Sequence, residues 1–308
     1  MSTIGVLGAT GNVGQELLPL LVREPSIHEI RILTQRPERI AATVHDAARM
    51  HGTTLVILHG EYCGTDAQTM LRTTLRGCHR LFVVLPQSLA SSDMVQHGTR
   101  IIDCAREAGI AVLVRISSFG IDVQSQPPYV DPGQGPLGAA HVTLEQYGAA
   151  QGVHQVNLRP TSLFSNLDWN IDELRTHQTL STPLGTEANV NWVSCGDVAQ
   201  VAVHVLVATP WDRYGTMLDI TGPADNTLTA TAMAQLLSAS IGHTITYREV
   251  ALPTVPEYAG LWTFLRRGGY DWHCDTVERI TGTPGERFAE IRLRTERKST
   301  YESMSRVV

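Results

Sequence analysis

An α/β protein built on a doubly wound parallel sheet is predicted by three features of this 308-residue sequence. Short apolar runs alternate with amphipathic helical segments through the first half, and strands joined that way need right-handed crossovers and lie parallel. The first apolar run breaks into a glycine-rich turn, Gly8-Ala9-Thr10-Gly11-Asn12-Val13-Gly14, which opens directly into a helical segment. Beyond Pro160 the alternation loosens and aromatic residues gather, which predicts a smaller C-terminal α+β lobe.

Taken in order, Ile4 to Leu7 reads as a short buried strand and Gln15–Val22 as a helix, which Pro19 should bend. Glu29–Leu33 is a second strand, Thr54–Leu58 a third and Arg80–Val84 a fourth, with a helix over Ala67–Leu75. Asp93–Gly109 carries Val95, Ile101, Ile102 and Ala105 on one helical face, and Ala111–Ile116 is a fifth strand. Gly133–Leu137 is a loop, Ala139–Ala150 a helix with His141 and Glu145 one turn apart, and His154–Leu158 a sixth strand. Leu163–Leu174 reads as a helix lying off the sheet. Then follow a strand at Asn191–Val193, a helix over Val198–Val207 apolar enough to return to the sheet, and a strand at Met217–Ile220. Helix Ala230–Ile241, strand Ile245–Val250 and helices Pro256–Arg267 and Asp275–Thr281 complete the lobe. The C-terminal run Ile291–Lys298 reads as a solvated helix.

Strand, glycine turn and helix together form a dinucleotide pyrophosphate site. Gly8 permits the tight turn, Gly11 lets backbone N–H groups approach phosphate, and Gly14 lets the helix pack on the strand. Thr10 and Asn12 are candidates to cap the helix. At the tip of the second strand stands Thr34-Gln35-Arg36, with Arg39 one turn on. An acid there would read a ribose 2′-hydroxyl, whereas an arginine suits a 2′-phosphate, so NADP(H) is expected over NAD(H).

Composition limits the alternatives. An apolar fraction of 43% and a charged fraction of 18% are those of a globular chain, and a net charge of −6 argues against a nucleic-acid partner. No run is long enough to span a membrane, and the chain enters a strand at once, which predicts no signal peptide. Five cysteines without a C-x-x-C pair predict reduced thiols in a cytoplasmic protein, with no metal site. Lys298 is the only lysine, so no mechanism can call on a lysine earlier in the chain.

With these segments placed, the chain resembles the atypical short-chain dehydrogenase/reductases of the NmrA-like family. The resemblance rests on Gly8–Gly14, Arg115-Ile-Ser-Ser118, Pro136-Leu-Gly-Ala-Ala-His141 with Glu145, Leu158-Arg-Pro160 with Asn166, Gly196-Asp197-Val-Ala, and the ending Thr281-Gly-Thr-Pro-Gly-Glu-Arg-Phe288. The Pro136–Glu145 stretch is similar to the quinone and triphenylmethane-dye reductases of that family. The resemblance implies a Rossmann-type domain over residues 1–160, with 190–221 returning to it. It implies a substrate-binding lobe from 161–189 and 222–308. By position, Gly8, Thr10, Gly11, Asn12, Val13 and Gly14 would hold the pyrophosphate, and Gln35 or Arg36 the 2′-phosphate. Glu61 would lie near the adenine, while Leu85, Pro86 and Ser88 would line the nicotinamide ribose.

The wider superfamily protonates substrate with a Tyr-x-x-x-Lys pair, which this chain lacks. His141 falls on the helix where relatives place that lysine, and with an ordinary pKa of about 6.5 it is the candidate proton donor or ribose anchor. Ser117 and Tyr129 are further catalytic candidates. The expected function is NAD(P)H-dependent reduction of an aromatic, quinone-like or polyketide-like small molecule by a monomer or homodimer. The alternatives are a non-redox cyclase or epimerase on the same fold, and a nucleotide-sensing regulator. Trp169, Trp192, Trp262, Phe264, Tyr270 and Trp272 suit either an apolar ligand or a lobe core.

Overall fold

The computed structural model describes residues 2–86, 90–124, 126, 128–129, 131 and 138–290. The first part alternates strictly: β1 (Ser2–Leu7), α1 (Asn12–Leu21), β2 (Ile27–Thr34), α2 (Ala42–His51), β3 (Thr54–His59), α3 (Ala67–Leu75), β4 (Arg80–Val83), α4 (Ser91–Glu107), β5 (Val112–Ile116), α5 (Ala139–Ala150) and β6 (Gln155–Pro160). Then come β7 (Ser162–Leu163), a 3₁₀ turn at Phe164–Asn170, α6 (Ile171–Thr176), β8 (Thr179–Thr182), β9 (Val190–Val193), α7 (Cys195–Val207) and β10 (Met217–Ile220). The chain continues through β11 (Thr227–Leu228), α8 (Ala230–Ile241), β12 (Thr246–Glu249), α9 (Pro256–Arg266) and α10 (Thr276–Thr281).

The main sheet has seven strands in the order β10-β6-β5-β4-β1-β2-β3, and the ladders from β3 through β6 are parallel. This is the doubly wound Rossmann arrangement, with its reversal of strand order between β1 and β4. β1 is buried along Thr3–Leu7, as a central parallel strand covered on both faces must be. Its carboxyl end delivers the glycine turn to the reversal point, where ligands of such sheets lie.

The chain divides into two compact units. The first holds the residues up to Ser117, Ala140–Arg159 and Val198–Leu218; the second holds Ser118–Ala139, Pro160–Asp197 and the residues from Asp219. In the first unit, Leu7, Leu33, Leu71, Leu81, Ile101, Ile102, Leu113 and Leu144 belong to one buried cluster. In the second, Phe164, Trp192, Leu237, Phe264, Tyr270 and Phe288 belong to another, over a three-stranded sheet β11-β9-β7 and a two-stranded sheet β12-β8. Among the described residues no helix is long and apolar enough to cross a membrane.

One local expectation is corrected. Leu163–Leu174 is not one helix but a strand end, a 3₁₀ turn and a short α-helix. Ser165, Asn166, Asp168 and Asn170 crowd the stretch, and such side chains compete for backbone hydrogen bonds. The N-cap of α1 is Gly11, which has no side chain to cap with. Helix α2, which the pattern does not delineate, closes on Gly52 at φ 70°. The run Ile291–Lys298 and the loop Gly133–Leu137 lie outside the described residues.

Candidate functional site

The glycine turn is shaped by what cannot fit in it. Gly8 takes φ +92°, and a Cβ there would meet the Val84 side chain at 2.9 Å. A Cβ on Gly14 would overlap the Gly8 carbonyl oxygen and stand 2.7 Å from the Ala9 Cα, so helix and turn touch through bare backbone. Gly11 N–H closes the turn onto the Gly8 carbonyl at 3.1 Å, and Gln15 Nε2 donates to the Thr10 carbonyl at 3.0 Å. The N-cap of α1 is glycine, which brings bare backbone to the helix's positive end, where an anion is favoured. Val13 is buried, while Thr10, Gly11 and Asn12 are partly exposed around the turn.

At the tip of β2, Thr34 Oγ1 accepts the Arg36 backbone N–H at 3.1 Å and lies 3.4 Å from Thr10 Oγ1, which ties this tip to the glycine turn. Gln35 points to solvent, and Arg36 is half-buried with its Nη1 buried and without a hydrogen-bond partner. Burial and the neighbouring Arg36 cation hold the Arg39 guanidinium below its ordinary pKa, so the two arginines feel each other. A buried guanidinium nitrogen lacking an acceptor, beside a second cation, fits a phosphate. Glu61 is exposed and folds over Gly64, whose Cβ would stand 2.5 Å from its carboxylate. Leu85 is buried, Pro86 is half-buried, and Ser88 lies outside the described residues.

The carboxyl ends of β5 and β6 hold a polar network that faces α5. Arg115 and Asn157 are register partners on adjacent strands, and Arg115 Nε donates to Asn157 Oδ1 at 3.1 Å. Asn157 is itself fixed, accepting from Gln155 Nε2 at 2.7 Å and donating to the Thr216 carbonyl at 3.2 Å. The fully buried Arg115 guanidinium also donates from Nη1 to His141 Nδ1 at 2.8 Å and from Nη2 to the His141 carbonyl at 3.3 Å. Glu145, one turn further along α5, accepts from Arg159 through both carboxylate oxygens and from Ser117 Oγ at 2.7 Å, with Arg115 Nη2 at 3.7 Å.

His141 and Ser117 therefore meet in one network, whereas Tyr129 belongs to the second unit, edge-on to Phe264 at 5.2 Å. Burial and the Arg115 cation push the His141 pKa down to about 3. That shift favours an uncharged ring at neutral pH and argues against an imidazolium as proton donor. Arg115, pushed down to about 10 by burial, keeps its charge. In the sequence, Arg115 and Arg159 mark only a resemblance. A charge inside the apolar run Val112–Ile116 is the signal that points to a site, since a buried charge must have a partner. The aromatic residues separate as well: Trp192, Phe264 and Tyr270 are core, while Trp169 and Trp272 are exposed. Trp272 stacks on Phe119 at 5.1 Å.

Known proteins resemble this chain in sequence or in fold. Protein FMP52, mitochondrial, of Coccidioides immitis (strain RS) is 29% identical over 142 residues, covering 42% of this chain and 56% of its own length. The triphenylmethane reductase of Citrobacter sp., solved complexed with NADP(H), superposes with a TM-score of 0.72 at 18% identity, over 93% of this chain and 98% of that one. The NADPH-dependent quinone oxidoreductase of Escherichia coli, solved complexed with NADPH, gives 0.70 at 19% identity, over 93% and 97%. Such distant likenesses speak for the fold. A sequence profile that spans residues 1–259, the glycine turn and the Arg115–His141 network included, decides the family: the chain belongs to the NmrA-like family.

Proposed function

We propose that this protein is an NADPH-dependent reductase of an electron-poor, quinone-like aromatic molecule. The observation that carries the cofactor half is the buried, unpartnered Arg36 Nη1 beside Arg39, tied through Thr34 to a turn with no Cβ at Gly8, Gly11 and Gly14. Backbone N–H groups of the turn and of α1 would hold the pyrophosphate, and Arg36 with Arg39 the 2′-phosphate. The reductase half is supported by the two reductases that share the fold.

The reduced nicotinamide, when bound, supplies the hydride. The chain supplies orientation and hydrogen bonds. His141, neutral with its proton on Nε2, donates a hydrogen bond to the acceptor's oxygen as charge builds there. Ser117 gives its hydrogen to Glu145, which leaves its oxygen as an acceptor. Without an imidazolium, lysine or tyrosine in this network, the final proton comes from water. That suits an electron-poor acceptor, whose reduced anion is stable enough to wait for it.

The test is NADPH consumption, followed by its near-ultraviolet absorbance, with menadione and with crystal violet. Turnover of either, lost in Gly11→Asp, is the expected result. Tight NADPH binding with no turnover of any acceptor would leave a nucleotide-sensing role in its place.

A further inference from the structure

We infer that Arg115 is a positioning residue: by donating to Nδ1 of His141 it fixes that ring as the Nε2–H tautomer and makes it a permanent hydrogen-bond donor. The reductase reading says only what the donor serves; the tautomer assignment stands on geometry alone.

A guanidinium has donors and no acceptor, so the 2.8 Å contact between Arg115 Nη1 and His141 Nδ1 has one polarity. Nδ1 accepts, and the single proton of the neutral ring resides on Nε2. Arg115 cannot turn away. Its Nε is bound to Asn157, which Gln155 and Thr216 hold in place, and its Nη2 is bound to the His141 carbonyl. A proton placed on Nδ1 would set two N–H groups face to face inside a buried network.

The charged groups around the ring come from three elements: Arg115 on β5, Glu145 on α5 and Arg159 on β6. Glu145 would favour an imidazolium if it were free to do so. Its oxygens instead serve Arg159, Ser117 and Arg115, so two buried cations share one carboxylate. The downward shift of His141 accordingly comes from burial first and Arg115 second. A cation bound at Nδ1 also draws electron density from the ring, which makes Nε2–H a stronger donor. Among the described residues Nε2 has no hydrogen-bond partner. His141 and Glu145 lie one turn apart on α5, and Arg115 reaches both.

Nitrogen-15 NMR of histidine-labelled full-length protein, with the His141 signals identified by their loss in His141→Gln, reads the tautomer directly. Between about pH 5 and pH 8 the wild-type ring should stay neutral with its proton on Nε2. Arg115→Lys, which keeps a cationic donor, should preserve that state. Arg115→Met should release the tautomer, so that protons on Nδ1 and Nε2 both appear, and move the ring's titration upward only in part, because burial still opposes its charge. It should lower kcat with menadione by about 10–100-fold, with KM for NADPH unchanged. A wild-type ring that gains a proton in this range, or carries its proton on Nδ1, overturns the inference, and that measurement needs no variant to fold. A neutral Nε2–H ring in a protein that turns over no acceptor would sustain the Arg115 assignment while removing the reductase reading.

Discussion

Glu145 shows how much can rest on one carboxylate. It pairs with both Arg115 and Arg159, and all three are buried or nearly so. Removing it takes a shared carboxylate from two buried cations, so Glu145→Ala should cost about 3–5 kcal/mol in urea unfolding. A loss below about 1 kcal/mol, the range of exposed ion pairs, would show that water reaches these arginines. His141 carries a second prediction, with a sign fixed by its lowered pKa. Between its folded value of about 3 and the unfolded value of about 6.5, the unfolded chain binds a proton that the folded chain refuses. Its presence therefore lowers stability as pH falls below about 6.5, and leaves stability unchanged above that. His141→Gln should flatten the acid limb of the stability–pH curve relative to wild type. Parallel curves would mean the ring is protonated in the fold.

Between elements, the packing of α4 on α5 is set by one absent side chain. A Cβ on Gly98 would stand 2.5 Å from both terminal methyl groups of Leu144, which is itself fully buried. Gly98→Ala gains about 1 kcal/mol of helix propensity, yet should lower stability because the Leu144 methyls must move within a close-packed core. Leu144→Ala alone should cost about 2–5 kcal/mol. In that background Gly98→Ala should turn stabilising, a reversal that a double-mutant cycle of urea midpoints would reveal. If the sign of Gly98→Ala is the same in both backgrounds, the helices are not held apart by this contact. The same scale shows what the sequence makes legible. Ala67–Leu75, Ala139–Ala150, Met217–Ile220 and Ala230–Ile241 are readable to the residue, because apolar periodicity and turn glycines agree there. Helix α2 buries only Val44 and Ala48, too few to show a period, and β8 is four residues whose order comes from pairing with β12. The site divides in the same manner. A glycine turn is a local pattern, whereas the Arg115 network joins residues from two strands and a helix that no spacing rule connects.

Across the whole molecule, a ligand bound at the glycine turn registers in global stability, because it binds the folded chain and not the unfolded one. A ligand that binds only the folded chain adds about 2.7 kcal/mol when held at about 100 times its Kd. For a chain of this size that corresponds to a rise in Tm of roughly 4 °C. NADPH should produce such a rise, and NADH at the same concentration a smaller one, because only NADPH offers a 2′-phosphate to the unpartnered Arg36 nitrogen. Arg36→Ala leaves the glycine turn intact. It should therefore weaken NADPH binding by about 10–100-fold, the worth of hydrogen bonds to a charged group, while leaving NADH nearly unchanged. The two cofactors should then shift Tm alike. Should wild-type protein respond equally to both, Arg36 does not read the phosphate, and the choice of cofactor would have to come from elsewhere in the chain.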